Sequence, residues 1–137
     1  MPTTITPDQQ EQMLASARAA FKNAHAPYSK FKVGATILTG RGAQFSGCNV
    51  ENASYGLTIC AERNAIFAAV AAEGPGMVIK AVAVATEQDG ACAPCGACRQ
   101  VIFEFGPDAQ VFFLGKSGTE QMQSRTCCPK AFGSDPV

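Results

Sequence analysis

Charge is scarce in this sequence: Asp, Glu, Lys and Arg make up 16% of it and cancel to a formal net charge of zero. No polybasic stripe exists to hold a nucleic acid or an anionic membrane surface, so the expected partner is a small molecule or another protein. No apolar run approaches the ~20 residues needed to cross a bilayer. Internal repeats, low-complexity tracts and linkers are also missing. Residues 1–137 therefore read as a single domain, long enough to bury roughly two-thirds of its extended surface in one core. No secretory apolar segment is present, which with seven cysteines points to a reducing compartment, the cytoplasm, where thiols bind metal or fill core positions instead of pairing. Histidine occurs once. His25 has no partner near it in sequence and reads as a capping or surface residue rather than a ligand.

What the chain does have is two cysteine stretches, Thr58-Ile59-Cys60-Ala61-Glu62-Arg63-Asn64 and Pro94-Cys95-Gly96-Ala97-Cys98-Arg99-Gln100. Cys60 precedes an alanine-rich segment free of Gly and Pro as far as Ala72, which predicts a helix opening at or near Cys60. Cys95 and Cys98 follow a proline and open a second helical stretch through Val101, Ile102 and Phe105. At a helix N-terminus the free backbone N–H groups and the dipole favour anions, lowering thiol pKa and preparing thiolates for a metal. Cys60, Cys95 and Cys98 thus form a candidate zinc site with three thiolates and one open position, the arrangement of a catalytic zinc. Glu62, in the first turn after Cys60, can sit beside that metal as a proton shuttle. Cys60-Ala61-Glu62 with Pro94-Cys95-x-x-Cys98 matches the plan of zinc deaminases. Two other readings use Cys92. Cys92, Cys95 and Cys98 have the spacing that starts an iron–sulfur run, but the next required cysteine is absent. With Cys60 the same three could close a four-thiolate structural site, which would have no need of Glu62, Asn49 or Glu51. Cys92 reads more simply as a loop thiol.

In chain order, Thr6-Pro7-Asp8-Gln9 predicts a capped helix start, followed by an apolar face of Met13, Leu14, Ala17, Ala20, Phe21 and Ala24. Pro27 to Phe31 breaks this helix. Lys32 to Leu38 and Ala43 to Cys48 read as a hairpin around Thr39-Gly40-Arg41-Gly42. The polar stretch Asn49 to Tyr55 is turn-like and lies just before Cys60, where binding groups collect. Glu73-Gly74-Pro75-Gly76 ends the Cys60 helix, Met77 to Ala85 reads as a buried central strand, and Gln110 to Leu114 as a short strand before a turn at Gly115 to Gly118. A strand, helix and strand in that order imply a crossover and a sheet covered by helices. Beyond the turn, Met122 is nearly alone among polar residues and the pattern gives no element.

From Pro27 to Gly133 the sequence resembles the small, homotetrameric type of cytidine deaminase. The resemblance runs through Pro27-Tyr28-Ser29-Lys30-Phe31-Lys32-Val33-Gly34-Ala35, Gly47-Cys48-Asn49-Val50-Glu51-Asn52-Ala53-Ser54-Tyr55, Cys60-Ala61-Glu62-Arg63, the Pro94 to Gln100 segment and Ala131-Phe132-Gly133. It implies an α/β protein, a three-layer α/β/α sandwich with a five-stranded mixed sheet. It further implies one Zn2+ per chain on Cys60, Cys95 and Cys98, and Glu62 as the acid/base. Asn49 and Glu51 would grip the ribose 3′-hydroxyl, Phe31 would pack on the pyrimidine and the Ala61 backbone would contact the base. Tyr55 and Phe132 would contribute to active sites across subunit contacts in a homotetramer, and Arg63 would hydrogen-bond the metal thiolates. The expected reaction is hydrolytic deamination of cytidine and 2′-deoxycytidine, in pyrimidine salvage. A carboxylate at Glu51 would repel a phosphate, favouring free nucleosides over nucleotides. Another aminopyrimidine nucleoside such as blasticidin S, or a polynucleotide, is the alternative substrate; neutral charge counts against the polynucleotide. The chain departs from the family at Thr126-Cys127-Cys128-Pro129, where two leucines usually precede the proline; cysteines fill less volume there.

Overall fold

The computed structural model describes residues 5–86, 95–115 and 118–127. Ten elements follow in order, four α-helices, five strands and one 3-10 turn: α1 (Pro7–Phe21), β1 (Val33–Thr39), β2 (Gln44–Cys48), the 3-10 turn (Tyr55–Leu57), α2 (Ala61–Glu73), β3 (Ile79–Thr86), α3 (Gly96–Phe105), β4 (Gln110–Gly115), β5 (Gly118–Gln123) and α4 (Ser124–Cys127). The expected capping box is present, with Thr6 Oγ1 accepting from Gln9 N at 3.1 Å and Gln9 Oε1 accepting from Thr6 N at 3.0 Å. Those bonds satisfy two N–H groups that the helix cannot bond internally.

The strands form one mixed sheet in the order β2-β1-β3-β4-β5. The hairpin β1–β2 and the pairs β1–β3 and β4–β5 are antiparallel; β3–β4, joined through α3, is parallel. Strand alternation divides the core into two apolar layers. On one face Val82, Val84, Val111 and Phe113 pack with Ala65, Ile66 and Ala69 of α2 and Ile102 of α3. On the other, Ala81, Ala83 and Phe112 pack with Met13 and Leu14 of α1. Helices thus cover both faces, giving the three expected layers. The four strands expected from the residues are all present within one or two residues of the expected limits.

The residue pattern revealed neither the short α4 nor the longer β5. Of its side chains only Met122 reaches the core, while Glu120, Gln121 and Gln123 are exposed. Its strand form comes from six paired positions along β4, from Gln110↔Gln123 to Gly115↔Gly118, a tertiary partner that outweighs weak local preference. Lys116 and Ser117, the centre of the expected turn, lie outside the described residues.

Two glycines let the helices approach the sheet. A Cβ on Gly34 would stand 1.9 Å from Ala17 O, and one on Gly47 would stand 2.5 Å from Ala65 N and 2.8 Å from Ala61 O. Backbone cannot yield as a side-chain tip can. Gly47→Ala is therefore expected to destabilise the fold by about 3 kcal/mol, read as a lower urea midpoint. An unchanged midpoint would mean that α2 does not lie this close to β2.

Candidate metal centre and substrate cavity

The expected site residues gather at one end of the sheet, where β2 and β3 finish and β1 begins: Cys48 pairs with Gly34 and Thr86 with Val33. Both helices on that face start there. Cys60 is the N-cap of α2 and Cys95 the N-cap of α3, each in extended backbone conformation. Their carbonyls accept the first helical bonds, from Asn64 N at 3.1 Å and Arg99 N at 2.9 Å, and neither sulfur caps its own helix by a hydrogen bond.

The three sulfur atoms of Cys60, Cys95 and Cys98 all lie within 4.8 Å of one another. Cys60 Sγ is 3.8 Å from Cys95 Sγ, and Cys95 Sγ is 3.4 Å from Cys98 Sγ. Zn–S bonds of ≈ 2.3 Å at tetrahedral angles put ligand sulfurs roughly 3.8 Å apart, so these thiols fit zinc with little movement. All three are free thiols. The group shares its protons unequally. The Cys60 thiol is pulled down to about 5, first by the hydrogen bond from Cys98 and then by Arg63, which outweigh its partial burial. Cys98 is pushed up, first because it is the donor to Cys60 and then by burial. A metal taken up here displaces the proton that Cys98 holds.

Arg63, one residue after Glu62, donates from Nη2 to Cys60 Sγ at 3.5 Å. The same contact raises the Arg63 pKa still further above its ordinary value. Its Nε is buried without a hydrogen-bond partner among the described residues. Glu62 is 4% exposed. Burial pushes its carboxyl up to about 7, and the nearby Cys60 thiolate adds to the shift, against lowering hydrogen bonds from its own backbone and from Cys98. A carboxyl poised near neutrality exchanges a proton with little driving force in either direction, as a shuttle requires.

Cys60, Ala61, Glu62 and Cys95 form one wall of a cavity of about 270 Å3, and Phe31, Asn49 and Glu51 line the rest with Ser29, Val33 and Thr58. Asn49 is buried and its side chain is used on both sides: Oδ1 accepts from Val33 N at 2.9 Å and Nδ2 donates to Phe31 O at 2.8 Å. The carboxylate of Glu51 accepts from Tyr28 N at 3.0 Å, from Ser29 N at 3.1 Å and from the Ser29 hydroxyl. These bonds, the hydroxyl's first, hold it below the usual carboxylate range despite some desolvation; His25 assists by charge. A second cavity of about 390 Å3 abuts the first, sharing Ser29, Glu51 and Thr58, and is bounded by Tyr28 and Tyr55. Tyr55 is 90% exposed.

Ten of the eleven expected site residues fall in this region; Phe132 lies outside the described residues, as do Pro94 and Cys92. His25 is exposed, in line with a surface residue, and its backbone bridges Asn49 and Glu51, accepting from Glu51 N at 2.8 Å and donating to Asn49 O at 3.0 Å. The sequence reading gave no role to Ser29 or Asn64. Asn64 Nδ2 donates to Cys48 O at 2.8 Å, tying α2 to the end of β2. For Ser29 a signal was present, a serine beside a helix-breaking proline where hydroxyls commonly bond nearby backbone.

The family model described as the cytidine and deoxycytidylate deaminase zinc-binding region matches residues 7–114. The chain belongs to this deaminase family. Among relatives, a cytidine deaminase of Sporosarcina psychrophila is 41% identical over 129 residues, 93% of each chain. One of Halalkalibacterium halodurans is 44% identical over 129 residues, 93% of this chain and 96% of the relative. Among solved structures, the cytidine deaminase from Burkholderia pseudomallei aligns with a TM-score of 0.82 at 45% identity, covering 93% of this chain and all of that one (100%). That from Mycobacterium tuberculosis aligns at 0.77 and 34% identity, covering 90% and 97%. As a member of a zinc-binding deaminase family with Cys60, Cys95 and Cys98 positioned for a metal ion, the chain does not favour the four-thiolate scaffold. No helix of the described residues is long and apolar enough to cross a membrane.

Proposed function

We infer that this chain, as one domain over residues 1–137, hydrolyses cytidine and 2′-deoxycytidine to uridine and 2′-deoxyuridine with release of ammonia. The observation that carries the reading is one cavity that joins Cys60 and Cys95, two of the three cysteines at zinc spacing, and the buried Glu62 to the carboxylate of Glu51. The names of the relatives favour cytidine over blasticidin S as the substrate.

Cys60, Cys95 and Cys98 would hold the zinc, which when bound would supply Lewis-acid activation of a water. Glu62 would take a proton from the water that attacks C4 of the base and deliver it to N3. Glu62 then carries the second proton to the exocyclic amine, which leaves as ammonia. Three thiolates on a divalent ion would leave a net negative site that holds the water's proton too tightly, and the Arg63 guanidinium, which donates to Cys60 Sγ, would offset part of that charge. Phe31 packs on the pyrimidine and the Ala61 backbone contacts the base, both from the cavity wall. Glu51 accepts from the ribose 3′-hydroxyl. Asn49 assists from its second amide hydrogen, the first being spent on Phe31 O.

The working form is a homotetramer in the cytoplasm, serving pyrimidine salvage. Tyr28, Tyr55 and Leu57 are 62%, 90% and 63% exposed beside the site, an apolar surface that another copy would cover. Tyr55 and Phe132 then complete active sites across subunit contacts. The test is ultraviolet absorbance of cytidine with the purified, metal-analysed protein. Conversion to uridine with equal ammonia and about one zinc per chain is expected. Bound zinc without conversion would reject cytidine as the substrate.

A further inference from the structure

Glu51 is held in place before any substrate arrives. Of the roughly four lone-pair positions on a carboxylate, both on Oε1 are taken by Tyr28 N and Ser29 N, and one on Oε2 by the Ser29 hydroxyl. One position on Oε2 remains. The Ser29 hydroxyl is itself oriented, because Phe31 N donates to its oxygen at 3.0 Å, which leaves its hydrogen for Glu51. Phe31 O in turn accepts from Asn49 Nδ2. Glu51, Ser29, Phe31 and Asn49 therefore form one hydrogen-bonded chain along the cavity wall, with Ser29 as its middle link.

We propose that Ser29 is a positioning residue for sugar recognition: its hydroxyl fixes the Glu51 carboxylate so that the single free acceptor on Oε2 meets the 3′-hydroxyl of a bound nucleoside. This rests on the reading of Glu51 as the ribose acceptor. Ser29 does its work through Glu51, its hydroxyl oriented by Phe31 N, without contacting the base. Because every other acceptor site on the carboxylate is filled, the group recognised there has to be a hydrogen-bond donor.

The test compares kcat/KM for cytidine and 3′-deoxycytidine in the zinc-loaded wild type, Ser29→Ala, Ser29→Thr, Glu51→Ala and the double variant Ser29→Ala/Glu51→Ala. Wild type is expected to prefer cytidine. Ser29→Ala should shrink that preference by about tenfold, the scale of a hydrogen bond to a charged group, through poorer use of cytidine with 3′-deoxycytidine changed less than about twofold. Ser29→Thr, which keeps a hydroxyl, should restore the preference. In the double variant the preference should fall no further than with Glu51→Ala, since the two residues act as one unit. Equal losses for both substrates in Ser29→Ala, or no loss, with the preference abolished by Glu51→Ala, would overturn the role of Ser29 and leave Glu51 as the ribose acceptor. A preference that survives Glu51→Ala would overturn both.

Discussion

Glu62→Gln is expected to lower kcat by ~10²–10⁴-fold, the usual contribution of a positioned acid/base, with about one zinc per chain still bound. The amide keeps the size of the side chain and removes the proton transfer. Full turnover in the variant would overturn Glu62 as the shuttle. The same substitution should make the metal-free chain more stable above neutral pH. The folded-state pKa of Glu62 is raised from 4.5 to about 7, so below pH 4 both folded and unfolded chains hold the proton and the residue costs nothing. As pH rises the unfolded chain releases its proton first, and the penalty grows until the folded form also ionises. Above pH 7 it levels off at about 3 kcal/mol. Glutamine carries no such penalty. Urea midpoints of metal-free wild type and variant should therefore coincide at pH 4 and separate by pH 8, with the variant higher. Coincident midpoints at pH 8 would contradict the burial cost.

Cys98→Ala should abolish metal binding and reduce turnover below about 1% of wild type. Cys98 is fully buried, at 0% exposure, in the first turn of α3, and it stands within ligand distance of both other sulfurs. Zinc at a thousand times its dissociation constant stabilises a protein that binds it only when folded by ~4 kcal/mol. Wild type should gain that in thermal melts on adding zinc and Cys98→Ala should gain none, with metal analysis following the same samples. One bound zinc and normal turnover in Cys98→Ala would remove this sulfur from the ligand set.

The metal half of the site was legible in the sequence because it depends on local chemistry. A cysteine immediately before an alanine-rich helix, and two more after a proline at the head of another, announce N-terminal thiols whatever the sheet does. The Cys60 and Cys95 caps fell where expected. The opposite wall of the cavity is assembled from segments 28–33 and 49–51, and their contacts span long stretches of chain: 23 residues separate Tyr28 from Glu51. Periodicity carries no record of such contacts, so Asn49 and Glu51 were nameable through family motifs while Ser29 received no role. The fold shows the same division. Helix α1 announced itself through Thr6, Pro7 and Gln9, whereas β5 has one apolar side chain directed to the core and exists through β4.

The polarity that concealed β5 also protects the molecule from its own kind. The sheet order ends at β5, and an outermost strand presents unpaired N–H and C=O groups to any extended chain that comes near. Thr119, Glu120, Gln121 and Gln123 are exposed along it, so an incoming strand would meet a charge and solvated amides instead of an apolar ladder. Replacing those residues with valines would make β5 conspicuous to a reader of the sequence, and would turn the rim of the sheet into a template for aggregation.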